Sequence, residues 1–165
     1  MSYNVLEELV KEYYEYIKGY FVRTNVRFSK LENGGYGGEA DILAYDSSEK
    51  NLFHIECSMA ANSKKRYLEI AGKKFPTDLD YKKLLPNILL DPGKVKKIFI
   101  IGQNKKKSEI EMPDGVTYVN LGPFIREVYD TINHDIMKEI VPEAYPLLRA
   151  MQLAKWANIG REGIT

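Results

Sequence analysis

The sequence predicts an α/β fold, a mixed sheet flanked by helices, and three observations carry that expectation. An amphipathic stripe opens the chain, two short alternating segments joined by a polar connection follow, and the apolar run Ile98-Phe99-Ile100-Ile101 lies further on. The first is a helix signature and the second a hairpin signature. The third suits a strand covered on both faces, as parallel strands are. The 165 residues fit one domain, residues 1–165, with a core over about 3–120 and a helical extension over about 121–158.

The elements follow in order. Residues 5–18 read as a helix: Leu6, Leu9, Val10, Tyr13 and Ile17 share a stripe, Glu7, Glu8, Lys11, Glu15 and Lys18 lie off it, and Gly19 is its stop. Residues 20–28 alternate and are rich in β-formers, so they are expected to be a strand. Asn33-Gly34-Gly35-Tyr36-Gly37-Gly38 is a flexible turn, and residues 40–45 and 52–58 are two strands joined across residues 46–51. Residues 63–75 are expected to form a basic helix capped by Ser63 and stopped at Pro76, and residues 80–90 to be partly helical around Pro86. Residues 95–101 and 116–120 read as strands flanking a charged loop at 104–108. Residues 123–140 and 143–158 read as two closing helices parted at Pro142.

Composition narrows the classes. Hydrophobic residues make up 44% and charged residues 28%, an ordinary balance for a globular chain. No apolar run approaches the ~20 residues that span a bilayer, and the first residues do not resemble a signal peptide. The single cysteine, Cys57, leaves no intrachain disulfide and fits a cytoplasmic location. A net charge of +1 gives no global attraction to nucleic acid, so local clusters must supply any.

The hairpin presents the chemistry. If it closes symmetrically, Tyr45 faces Leu52 and the count brings Asp41 opposite Glu56. Opposed positions hold their Cβ atoms ~5 Å apart on one face, and two like charges there destabilise a sheet unless a shared proton or a bound cation neutralises them. The pair suits a hard metal with oxygen ligands, with the Cys57 backbone carbonyl as a further ligand. The other face would carry Ala40, Ile42, Ala44, Phe53, Ile55 and Cys57, an apolar core face. The plain alternative is two exposed acids at the rim of a hairpin.

These residues resemble the PD-(D/E)XK nuclease superfamily, which includes restriction endonucleases and archaeal Holliday-junction resolvases. The likeness spans roughly residues 6–75. It rests on Gly19-Tyr20-Phe21-Val22 after the first helix, then Gly38-Glu39-Ala40-Asp41-Ile42-Leu43-Ala44-Tyr45, then Leu52-Phe53-His54-Ile55-Glu56-Cys57-Ser58. The resemblance implies a restriction-endonuclease-like fold in which Asp41 and Glu56 hold Mg2+ or Mn2+, activating water for phosphodiester hydrolysis. It also implies a further carboxylate on the first helix. Counting back about three turns from Gly19 gives Glu8, with Glu12 as the second candidate. Ala40 stands in place of the motif's proline and Ser58 in place of its lysine. In some members the lysine comes from the following helix, where Lys64 and Lys65 lie, so either one of these or Ser58 with a water would complete the catalytic site.

The remaining features weigh less. His54 shares the carboxylate face, and a hydrogen-bonded structural histidine is the plainer reading beside ligand or proton shuttle; His134 is incidental. The glycine-rich turn lacks the Gly-Lys-Ser/Thr of a P-loop. Lys64, Lys65, Arg66, Lys73 and Lys74 make a basic stretch that could contact phosphates, as could Lys105-Lys106-Lys107, or either could simply be solvated. Cys57 packs as a small hydrophobe. The last helix, with Leu147, Leu148, Met151, Leu153, Ala154 and Trp156, is apolar beyond one stripe, from burial or a homodimer seam. The expectation is therefore a Mg-dependent nuclease acting on DNA. A catalytically impaired nucleic-acid-binding module is the alternative, and a structural protein working through its tyrosine-rich and C-terminal surfaces is a third.

Overall fold

The computed structural model describes residues 4–59, 69, 72–75, 81, 95–102 and 115–162. Helix α1 (Val5–Glu12) starts at Asn4, whose side-chain oxygen accepts from the amides of Leu6 at 3.1 Å and Glu7 at 3.5 Å, as an N-cap should. The predicted helix continues past Glu12, but Tyr13–Ile17 widens into a π-helical turn, closed by the Lys18 amide donating to the Tyr13 carbonyl at 3.1 Å. Tyr13 and Tyr14 are both buried across it. Gly19 ends the helix with φ +70°, a conformation that favours glycine.

Five strands form one mixed sheet in the order β1-β2-β3-β4-β5: β1 (Phe21–Lys30), β2 (Tyr36–Asp46), β3 (Asn51–Ser58), β4 (Val95–Ile101) and β5 (Val116–Asn120). The first three make an antiparallel meander, and β4 and β5 run parallel to β3. A parallel step needs a crossover of a dozen or more residues, and residues 59–94 supply it. Within that stretch residues 72–74 are helical. Residues 63–68, 70 and 71 of the predicted basic helix, most of the 80–90 stretch and the 104–108 loop lie outside the described residues. The β2–β3 register pairs Ile42 with Ile55, Ala44 with Phe53 and Tyr45 with Leu52, as the symmetric hairpin count requires.

The main core lies between the sheet and the helices, with Val10, Tyr13, Ile42, Ala44, Ile55, Ile100, Phe124, Val128 and Leu148 buried together. On the other face Phe28, Ala40, Leu43, Leu52 and Tyr81 form a second cluster. Ala40 thus departs from the face shared by Ile42 and Ala44. The registered pairing skips Asn25 and Asp41, Asn25 adopts φ +53°, and the alternation inverts across that break. Gly38 has a packing reason: a Cβ there would meet the Phe28 ring at 2.3 Å.

The first closing helix is shorter than predicted. Helix α2 (Leu121–Thr131) stops before Ile132, and the chain to Tyr145 is irregular. Side chains there take over the backbone: Asn133 accepts from the Asp135 amide at 3.0 Å and Asp135 from the Met137 amide at 3.1 Å. The buried Gln152 amide donates to the carbonyls of Asn133 and Glu139 and accepts from the Val141 amide, while Lys155 donates to the carbonyls of Tyr129, Asp130 and Ile132 at the end of α2. Helix α3 (Pro146–Glu162) begins on proline, whose missing N–H is harmless at a first helical position. Leu153 and Trp156 on α3 remain exposed. Among the described residues no helix is long and apolar enough to cross a membrane.

Candidate functional site

The break in the sheet at Asp41 builds the site. The β2–β3 pairing ends at Ile42 and Ile55, so Asp41 and Glu56 lie one step beyond it. There the two side chains replace the ladder: the Asp41 amide donates to Glu56 Oε1 at 3.1 Å, and the Cys57 amide donates to Asp41 Oδ2 at 3.0 Å. Each carboxylate thus uses one oxygen to satisfy the opposite strand's backbone. The second oxygens converge elsewhere. Asp41 Oδ1 and Glu56 Oε2 each lie 2.7 Å from the Lys74 ammonium. Lys74 hydrogen-bonds to Asp41, whereas the buried Glu56 Oε2 has the ion-pair contact without a well-directed hydrogen bond.

Glu56 is 1% exposed and His54 fully buried. His54 Nε2 lies 2.6 Å from Glu56 Oε1 and Nδ1 lies 2.5 Å from the Tyr81 hydroxyl. The Phe75 ring meets the imidazole edge-on, with centroids 4.8 Å apart. Burial pushes His54 down to about 3, so the ring is neutral at physiological pH. Asp41 is pushed up to about 6, by burial first and by the Glu56 charge second, against the Cys57 amide and Lys74. Burial also raises Glu56, with Lys74 opposing. Burial works against the Lys74 charge, and its close contacts with both carboxylates carry it above its ordinary value. Among the described residues, the site joins two carboxylates whose burial disfavours charge with one cation that restores it.

The α1 carboxylate near this pair is Glu7. Burial and then the Asp41 charge raise its carboxyl. Glu8 instead pairs with Lys11 at 2.8 Å. Glu12 is buried at the start of α3, accepting from the amides of Leu147 at 3.2 Å and Leu148 at 2.8 Å. Counting back from Gly19 at the α-helical period lands on Glu8, but the π-helical turn inserts one extra residue and shifts the count to Glu7.

Ser58 ends β3, with its carbonyl accepting from the Gly102 amide at 2.9 Å. Cys57 reaches Asp41 through its amide, and its thiol, raised well above its ordinary value by burial, packs against the main core. Lys64, Lys65 and Arg66 lie outside the described residues, and Lys73 is exposed. Among the described residues, the lysine that reaches the pair is Lys74. Its signal in the sequence was membership of the basic stretch, together with Phe75, the apolar neighbour that packs on His54.

The convergent oxygens fit a hard divalent cation, which accepts one or two protein carboxylates and keeps several waters. Among the described residues no set of three or more His, Cys, Asp or Glu side chains is arranged around one point. Side-chain ligation would therefore come from Asp41 and Glu56, with the Lys74 ammonium giving way. Comparison with family models, with curated proteins and with solved structures finds no match, so the site stands on its own geometry.

Proposed function

We propose that the chain is a divalent-metal-dependent nuclease of restriction-endonuclease-like fold that hydrolyses phosphodiester bonds in DNA. The observation that carries this reading is the convergence of Asp41 Oδ1 and Glu56 Oε2 on the Lys74 ammonium, 2.7 Å from each. It supplies the carboxylate pair and, from the crossover, the lysine missing at Ser58. The order of helix, antiparallel three-strand meander, crossover and parallel strand supports the fold expectation.

Asp41 and Glu56 would hold Mg2+ or Mn2+, with the Cys57 carbonyl as the expected main-chain ligand and Glu7 close enough to add negative potential. Held by these residues, such an ion would supply a nucleophilic water and neutralise charge on the phosphate. The residues do the rest. Backbone amides fix one oxygen of each carboxylate, so the free oxygens are held in place before an ion arrives. Lys74, partly exposed on a flexible stem, can leave the pair and present its ammonium to the phosphate, where charge develops.

Titration with Mn2+ and Mg2+, read as a thermal shift, tests the reading alongside DNA cleavage. Wild type should gain stability and cut; Asp41→Ala and Glu56→Ala should lose both the shift and the cutting while keeping wild-type circular dichroism. A wild type that neither shifts nor cuts with either ion sinks it. The Lys74 ion pair also favours a second reading, a nucleic-acid-binding module whose carboxylates are neutralised without metal. Salt-sensitive DNA binding with no metal shift would select that one.

A further inference from the structure

The side chains of His54 and Tyr81, both buried, form a hydrogen-bonded chain that ends on the Glu56 carboxylate. Tyr81 approaches one imidazole nitrogen at 2.5 Å, and the other nitrogen lies 2.6 Å from Glu56 Oε1. We propose that His54, oriented by Tyr81, is a positioning residue that clamps Glu56 so that Oε2 alone is offered to a divalent cation. This rests on the proposed metal-dependent reading and deepens it.

The donor inventory fixes the direction of each bond. A carboxylate oxygen only accepts, so the proton between His54 and Glu56 sits on Nε2. The neutral ring then leaves Nδ1 bare, and the Tyr81 hydroxyl donates to it. Glu56 Oε1 accepts from two directions, the Asp41 amide at 3.1 Å and His54 Nε2 at 2.6 Å. Among the described residues, Oε2 has only the contact with Lys74. Two rigid donors on one oxygen hold the carboxylate rotamer, and both sit on the sheet rather than on a loop. A glutamate without the imidazole would keep one donor and could turn about its last torsion, which is broad. Outer partners of this kind hold ligands in place, and their loss lowers metal affinity about 10–100-fold.

The experiment compares Mn2+ affinity, by calorimetric titration of the full chain, in wild type, His54→Leu, His54→Gln and Tyr81→Phe, with circular dichroism on each. Leucine fills the space without a donor; glutamine carries an amide donor at about the reach of Nε2. His54→Leu should bind Mn2+ about tenfold or more weakly, His54→Gln should return to within about threefold of wild type, and Tyr81→Phe should fall between. A histidine that only supports the core would lower stability in the leucine variant without moving Mn2+ affinity, and that result overturns the proposal. Should His54→Leu not fold, Tyr81→Phe decides: it keeps the ring and removes one hydroxyl, and wild-type affinity in it also overturns the proposal. A wild type that binds no Mn2+ overturns the metal-dependent reading itself, and the clamp with it, a result distinct from normal binding in the variants.

Discussion

The junction of α1 with α3 and the break between β2 and β3 each bury a glutamate, and burial raises both carboxyls. Glu12 gives both oxygens to fixed amides at a helix N-terminus, where the helix dipole also favours negative charge. Glu56 gives one oxygen to fixed donors and leaves the other against an ammonium on a flexible stem. The difference teaches how to tell a structural buried charge from a working one. A carboxylate whose every acceptor is taken by rigid backbone has no valence to exchange, whereas one partnered by a mobile side chain does.

The largest effect should come from breaking the first of these. Glu12→Ala removes the acceptor of two amides at the start of α3. A lost cap and unsatisfied buried donors together should lower the unfolding free energy by about 3 kcal/mol. Urea denaturation would measure it, and the Mn2+ shift should survive in that variant although the protein is weaker. Loss of the Mn2+ shift in Glu12→Ala would erase the distinction between the two glutamates.

The next effect is in pH. Asp41 is held at about 6, above its ordinary 3.8, by burial and by Glu56. A raised carboxyl binds its proton more tightly in the folded protein than in the unfolded chain. Its contribution therefore favours the fold fully below about pH 3.8 and is lost as pH rises through about 6. Asp41→Asn should flatten the stability profile across that window. Metal binding runs the other way, because the ligand must be deprotonated: Mn2+ affinity should fall as pH drops below about 6. An affinity that stays level down to pH 4.5 would mean that Asp41 is not a ligand.

Particular residues show which parts of this arrangement the sequence carried. The hairpin register was legible because a polar connection at residues 46–51 leaves one symmetric closure, and alternation on each arm agrees with it. The inversion at Ala40 was not, because it depends on Asn25 in the neighbouring strand leaving the ladder. The count that pointed to Glu8 assumed a uniform helix, and a π-helical turn in Tyr13–Ile17 has no simple pattern of its own. The end of α2 at Thr131 follows from side chains of Asn133 and Asp135 competing for backbone amides, a signal present in the sequence but weaker than the apolar periodicity beside it. Lys74 was hidden among equivalent lysines, since only the crossover's path decides which of them reaches the carboxylates.

Lys74 also gives the finest test of the comparison, because an ammonium and a divalent ion want the same two oxygens. Both carboxylate oxygens lie 2.7 Å from its nitrogen, and a bound Mg2+ would sit ~2.1 Å from such oxygens, too close for the two cations to share the place. The ion must therefore displace Lys74, and its apparent affinity is reduced by whatever the ion pair contributes. Lys74→Met removes the competitor and keeps the stem. Without metal that variant should be less stable than wild type, because two buried carboxylates lose their counter-charge. With Mn2+ it should recover, and its affinity should exceed wild type by about tenfold, while DNA cleavage is lost with the ammonium. This opposite movement of affinity and turnover separates a displaced catalytic lysine from a lysine that merely supports the site, for which both would fall together.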